Sequence, residues 1–66
     1  MPPRIEPLRN ASGWMAGYEP DQQILTIIFQ NGSSYDFTGV PPDIAKGFLE
    51  SSSPGRYYNT YIRGVY

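Results

Sequence analysis

Residues 24–38, "ILTIIFQNGSSYDFT", decide the fold. The first six are rich in β-branched side chains and carry no charge, a composition that suits a strand. They are apolar at both parities, Ile24 and Ile28 on one side and Leu25, Ile27 and Phe29 on the other. Such a run predicts a central strand covered on both faces. Asn31-Gly32 then stands between two strand-like segments, and both residues tolerate the positive φ of a type I′ turn, so a hairpin is predicted here. Beyond it "SYDFT" alternates, with Tyr35 and Phe37 toward one face and Ser34, Asp36 and Thr38 toward the other, which predicts a half-solvated strand.

Upstream, "GWMAGY" at 13–18 is short and aromatic and runs into "EPDQ", where Pro20-Asp21 suits a type I turn. It is read as a first strand, so the sheet is expected to be a three-stranded antiparallel meander over about 13–18, 24–29 and 34–38. Residues 1–11 include Pro2, Pro3 and Pro7 and show no periodicity, which predicts an extended or partly disordered arm before a single domain at 12–66.

The period changes downstream. Ile44, Ala45, Phe48 and Leu49 form a helical stripe, while Asp43, Lys46 and Glu50 fall elsewhere, predicting a helix over 42–50. Pro42 suits its first position and Asp43 its N-terminal dipole. In the tail, "SSSPGRYYNTYIRGVY", strand spacing separates nothing, whereas helical spacing puts Tyr58, Tyr61, Ile62 and Val65 on one stripe and Arg56, Asn59, Thr60 and Arg63 on the other. A second helix is therefore expected over 54–63, capped by Ser53, with Pro54 at its first position and Gly64 ending it. The fold class is α+β, the first stripe closing the core. Trp14, Phe29, Phe37, Phe48, Tyr58 and Ile62 are the expected core residues.

With 66 residues the core must be small. The chain has no Cys and His is absent, so packing alone must hold it, and a reducing cytoplasmic setting is expected. "ILTIIF" is far short of a membrane span, which needs about 20 apolar residues. A net charge of −1 supplies no general field for phosphate backbones, so any nucleic-acid contact would be local. General acid–base catalysis at neutral pH usually uses His or a perturbed carboxylate, and the six carboxylates form no paired motif. No phosphate-cradling loop follows Gly55, and "EPDQQ" lacks the oxygen-ligand spacing for calcium. No enzymatic activity, catalytic residue, cofactor or metal is expected.

The tail also carries a resemblance. Gly55, Tyr57-Tyr58-Asn59, Ile62-Arg63 and Tyr66 resemble the G-x-Y-[FY]-N-x-x-I-R-x-x-Y ending of the KTSC domain family. Gly17-Tyr18 before an acidic residue, the spacing of Phe29, Gly32, Tyr35 and Phe37, and Val40-Pro41 before the helix are similar to it too. Ala45 stands where many relatives have an aromatic residue, and Glu19 where Asp is usual. The resemblance implies a small stand-alone bacterial or phage protein, or a segment following some lysyl-tRNA synthetases. It directs expectation toward nucleic-acid machinery.

Tyr and Arg are the residues enriched at binding hot spots. Arg56, Tyr57, Asn59, Arg63 and Tyr66, off the apolar stripe, are accordingly the candidate interface; the other reading is a structural motif in which Arg63 or Asn59 bonds the sheet or a loop. Two functions are expected from these residues. One is a monomeric cytoplasmic protein-binding module, including a phage-type inhibitor of a host enzyme such as RNA polymerase or a defence nuclease. The other is a single-strand nucleic-acid binder in which Tyr57 and Tyr66 stack bases while Arg56, Arg63, Arg4 and Arg9 contact phosphate.

Overall fold

A computed structural model describes residues 5–66. Four antiparallel strands, β1 (Glu6–Pro7), β2 (Met15–Glu19), β3 (Ile24–Ile28) and β4 (Ser34–Phe37), form one sheet in sequence order. Helix α1 (Pro42–Glu50) follows, then α2 (Pro54–Tyr57), which continues without a break as a π-helix over Tyr58–Ile62. The architecture is α+β.

The sheet has one strand more than the three expected. β1 comes from the segment read as an arm, with Glu6 opposite Ala16 and Pro7 opposite Met15. Pro7 has no N–H to give a ladder, a lack that an edge strand tolerates. What anchors this edge is Leu8, which is buried and whose N–H donates to the Trp14 carbonyl at 2.9 Å. Part of the expected arm, residues 1–4, lies outside the described residues.

Register sets the faces. Ala16 pairs with Ile27, Tyr18 with Leu25, Leu25 with Phe37 and Ile27 with Tyr35, so these side chains share one face. Leu25 and Ile27 are fully buried there with Val40, Ala45, Phe48 and Ile62. Met15, Ile24, Thr26 and Ile28 occupy the opposite face and stay half-buried. The expectation that β3 is covered on both faces is thus corrected. Both helices supply their buried residues to one side, and Ile24 and Ile28 owe their partial burial to cross-strand neighbours such as Met15.

The hairpin stands where expected, but its turn type differs. Among the described residues Gln23 alone combines a side chain with positive φ, so Asn31 does not meet the type I′ requirement. Instead the Gly32 N–H donates to the Phe29 carbonyl at 2.9 Å, Gly32 itself takes φ +89°, and Phe29 N–H donates to Ser33. This is a three-residue loop, a type I turn closed by a left-handed glycine in a G1 bulge. Asn31 serves through its side chain, whose Oδ1 accepts the Ser33 N–H.

α1 begins at Pro42 as expected, with Pro41 extended before it and its carbonyl accepting the Ala45 N–H. Ala45 and Phe48 face the core. The link into the helix is pinned at Val40, whose carbonyl accepts from the Tyr18 hydroxyl and whose N–H donates to the Gln23 carbonyl. α2 starts with Pro54 but without the expected Ser53 side-chain cap; the Ser53 carbonyl accepts the Tyr57 N–H instead.

The second helix departs most from expectation. Its π turn closes i→i+5, with Arg63 N–H donating to the Tyr58 carbonyl at 2.8 Å, before Gly64 turns at φ +78° and the Val65 and Tyr66 N–H groups donate to the Ile62 carbonyl. In an α-helix three residues turn through about 300°, which would leave Tyr61 about 60° from Tyr58 on the core side. The wider π turn advances less per residue and carries Tyr61 outward. Tyr58 and Ile62 do close the core, but Tyr61 is 51% exposed and Val65 62% exposed, correcting the expected four-residue stripe.

Tyr57 takes the place inside. Its hydroxyl donates to the Ile44 carbonyl at 3.0 Å, and its ring packs between Phe48 and Tyr61 with centroids 6.3 and 4.6 Å away. The ring lies on Gly47: a Cβ there would stand 2.8 Å from Tyr57 Cζ and closer still to the hydroxyl. Gly→Ala inside a helix ordinarily stabilises by about 1 kcal/mol. Here Gly47→Ala is expected to destabilise by about 1–3 kcal/mol, the range of an overpacked core, because the ring cannot move without losing the Ile44 bond. Chemical denaturation checks the sign.

The two structural tyrosine hydroxyls also set an alkaline limit. Burial pushes the Tyr57 hydroxyl above the ordinary tyrosine value, with Tyr61, Asp43 and Tyr66 adding to it. Burial first, then Asp43 and Glu19, does the same for Tyr18. These groups ionise earlier in the unfolded chain, near pH 10, so the unfolded state binds fewer protons than the folded state above that pH. Their contribution to stability is fully present below about pH 10 and is lost as pH rises toward the folded values. Thermal unfolding between about pH 8 and 11 is expected to show a falling Tm at the alkaline end, with a shallower fall in Tyr18→Phe and Tyr57→Phe.

Candidate functional site

The five residues singled out in the tail do not share one environment. Arg56, Asn59 and Arg63 are exposed, and among the described residues none of their side chains makes a hydrogen bond or ion pair. Among the described residues no side-chain bond ties Arg63 or Asn59 to the sheet or a loop. Tyr66 is 38% exposed. Tyr57 is the exception, half-buried, with its hydroxyl committed to Ile44. It underlies the surface as a support for the Tyr61 ring tilted against it.

Tyr61 and Val65 are the surface residues that helical spacing assigned to the core. The π turn that displaced them has no recognisable sequence signature. Exposed on this C-terminal segment are two guanidinium groups, an amide, two phenol rings and a valine. The guanidinium groups can pair with carboxylate or phosphate and stack on planar groups. Burial pushes the Tyr57 hydroxyl upward, so it remains a hydrogen-bond donor to the Ile44 carbonyl.

A shallow groove of about 830 Å³ lies elsewhere, between β1, β2 and the end of α1, lined among others by Leu8, Arg9, Tyr18 and Leu49. Asn10 crosses toward the end of α1, its Nδ2 donating to the Ser51 carbonyl at 3.1 Å. Among the described residues no buried side-chain polar atom lacks a partner, and no cluster of three His, Cys, Asp or Glu is arranged to hold a metal. No helix among them is long and apolar enough to cross a membrane.

Comparison with known proteins places this face in context. The family model of the KTSC domain matches residues 14–66, which include all of α1, α2 and the π-helix. A protein of Stutzerimonas stutzeri whose name assigns no function is 40% identical over 56 residues, 85% of this chain and 79% of that protein. One from Tsukamurella paurometabola is 32% identical over 59 residues, covering 89% and 88% of the two chains. The lysine–tRNA ligase of Nostoc punctiforme is 37% identical over 49 residues, 74% of this chain but 9% of the ligase. No solved structure matches. The residues that build the hairpin, the Gly47–Tyr57 contact and the exposed tail all fall inside the matched segment, and the chain belongs to the KTSC domain family.

Proposed function

We propose that this domain is a non-catalytic interaction module that docks, through the exposed face of its C-terminal helix, on a protein of the nucleic-acid machinery. The observation that carries this reading is the state of Arg56, Asn59 and Arg63. They are exposed and unbonded among the described residues, in the same C-terminal segment as the exposed rings of Tyr61 and Tyr66. Side chains that bond nothing within the fold contribute little to its stability. Arg and Tyr are also the anchors that interfaces favour. The likeness to a segment of two Nostoc lysine–tRNA ligases supports a setting in which nucleic acid is handled. An enzyme such as RNA polymerase or a nuclease is a partner of the right kind, including as the host target of a phage-encoded effector.

Tyr61 replaces Tyr57 as the aromatic anchor, because its ring is the one turned outward. The same exposed rings favour one second reading, base stacking on Tyr61 and Tyr66 with Arg56 and Arg63 on phosphate. The net charge of −1 weighs against it.

The test is capture of partners from a bacterial extract by the wild type and by an Arg56→Ala/Arg63→Ala double variant. Both positions are exposed and unbonded, so the variant is expected to keep the wild-type Tm. A specific protein recovered by the wild type and reduced at least about tenfold in the variant is the expected result, a loss of about 1.4 kcal/mol. Equal recovery contradicts the reading. Binding of a single-stranded oligonucleotide with a log–log salt slope near −0.7 per phosphate neutralised would favour the second reading instead.

A further inference from the structure

The two edges of the sheet are treated differently. β1 is two residues long and includes Pro7, which offers no N–H, so that edge is blunted. β4 lies at the other end of the sheet with four residues, Ser34–Phe37, and contains no proline and no lysine. Charged residues, prolines and bulges are the usual protection of such an edge. β4 has one charge, Asp36, and that carboxylate is occupied by the Thr26 hydroxyl at 2.7 Å.

The hairpin fixes which backbone groups face out. Phe29 N–H donates to the Ser33 carbonyl, which makes Phe29 and Ser33 a bonded pair. Antiparallel pairs alternate, so Ile27–Tyr35 and Leu25–Phe37 are bonded pairs, whereas Ile28–Ser34 and Thr26–Asp36 are not. The N–H and C=O of Ser34 and Asp36 therefore point away from β3, into the free edge. Between them stands Tyr35, 53% exposed. Its ring packs against Phe29 at a centroid distance of 5.5 Å and against Phe37 at 6.5 Å, and the rest of it is open to solvent.

This set of groups is complementary to itself. We infer that β4 is a pairing edge for a second copy of this chain, the two sheets joining as one about a two-fold axis at Tyr35. In that register Ser34 exchanges backbone hydrogen bonds with Asp36 of the second copy, and Asp36 with Ser34. The two Tyr35 side chains meet as a non-bonded cross-strand pair, the closer of the two kinds, and cover each other's exposed rings. Each Asp36 carboxylate lies opposite a serine hydroxyl. An axis at Asp36 would set the two carboxylates against one another, so the charge selects the Tyr35 register. A net charge of −1 per copy opposes the approach only weakly. A single four-residue strand pair falls below the roughly 1,000 Å² of a stable interface, so the pairing is concentration-dependent. It differs from the monomer expected from sequence and from the docking face on the C-terminal helix.

Sedimentation equilibrium on the full chain, at concentrations up to about 1 mM, tests this. The wild type is expected to rise from 7.4 kDa toward twice that mass. Ser34→Pro removes an N–H that bonds nothing in the monomer, so it is expected to fold and to stay monomeric throughout. Tyr35→Lys sets two lysines across the axis and is expected to do the same, which keeps the test open if the proline variant does not fold. Amide exchange at Asp36 should slow as the wild type is concentrated and stay fast in both variants. A wild type that remains at 7.4 kDa at the highest concentration overturns the inference. So does association of both variants equal to that of the wild type.

Discussion

The Tyr57 hydroxyl, laid across Gly47 to reach the Ile44 carbonyl, is the contact on which the arrangement of the two helices depends. It is possible because residue 47 has no Cβ, so a helix glycine that costs about 1 kcal/mol in propensity opens the seat for an aromatic ring. Two adjacent tyrosines then serve two different layers. Tyr57 reaches sideways to α1, while Tyr58 turns down to the sheet and meets Phe29 and Phe37 edge-on at 5.1 and 5.8 Å. Ile62 must also return to the core, where it is fully buried. The π turn between Tyr58 and Ile62 lets one short helix meet these demands, and its consequence is an outward Tyr61.

The rest of the core compensates for the chain's lack of covalent or metal staples. Trp14, Phe29, Tyr58 and Phe37 make a chain of edge-to-face contacts that bridges β3, β4 and the C-terminal helix. Each such pair contributes about 0.5–1.5 kcal/mol beyond the area it buries. Helix α1 has no side-chain N-cap bond and one i,i+4 ion pair, Lys46–Glu50, at 4.0 Å between exposed groups. A pair of that kind contributes little, so burial of Ala45 and Phe48 holds α1 in place.

Much of this was legible because it is local. The Asn31-Gly32 hairpin and the 42–50 helix are written in turn residues and in a 3.6-residue period, and both stand at the expected residues. What was not legible depends on partners distant in sequence. Glu6-Pro7 resembles no strand until Ala16 and Met15 lie beside it. The turn at Asn31 was assigned its type from a dipeptide preference, but the three-residue loop needs only Gly32 in the left-handed region. For the candidate face, Arg56, Asn59 and Arg63 were identifiable as polar residues at helical spacing. Tyr57 and Tyr61 were exchanged, because an α-helical period was applied to a segment that winds wider.

That exchange alters how the exposed aromatic residues are understood. A domain this small needs nearly all of its large apolar groups inside, and it buries Leu25, Ile27, Val40, Phe48 and Ile62 completely. Tyr35, Leu49, Tyr61, Val65 and Tyr66 remain outside in spite of that need. Single exposed apolar residues are ordinary, and they call for no explanation one by one. Apart from Leu49 they fall in two places. Tyr61 lies in the π turn and Val65 and Tyr66 follow it, in the segment that carries Arg56 and Arg63, and Tyr35 stands between outward-pointing backbone groups on the β4 edge. Both places hold an outward ring and polar groups without a partner among the described residues, and a contact made from outside would cover the one and satisfy the other.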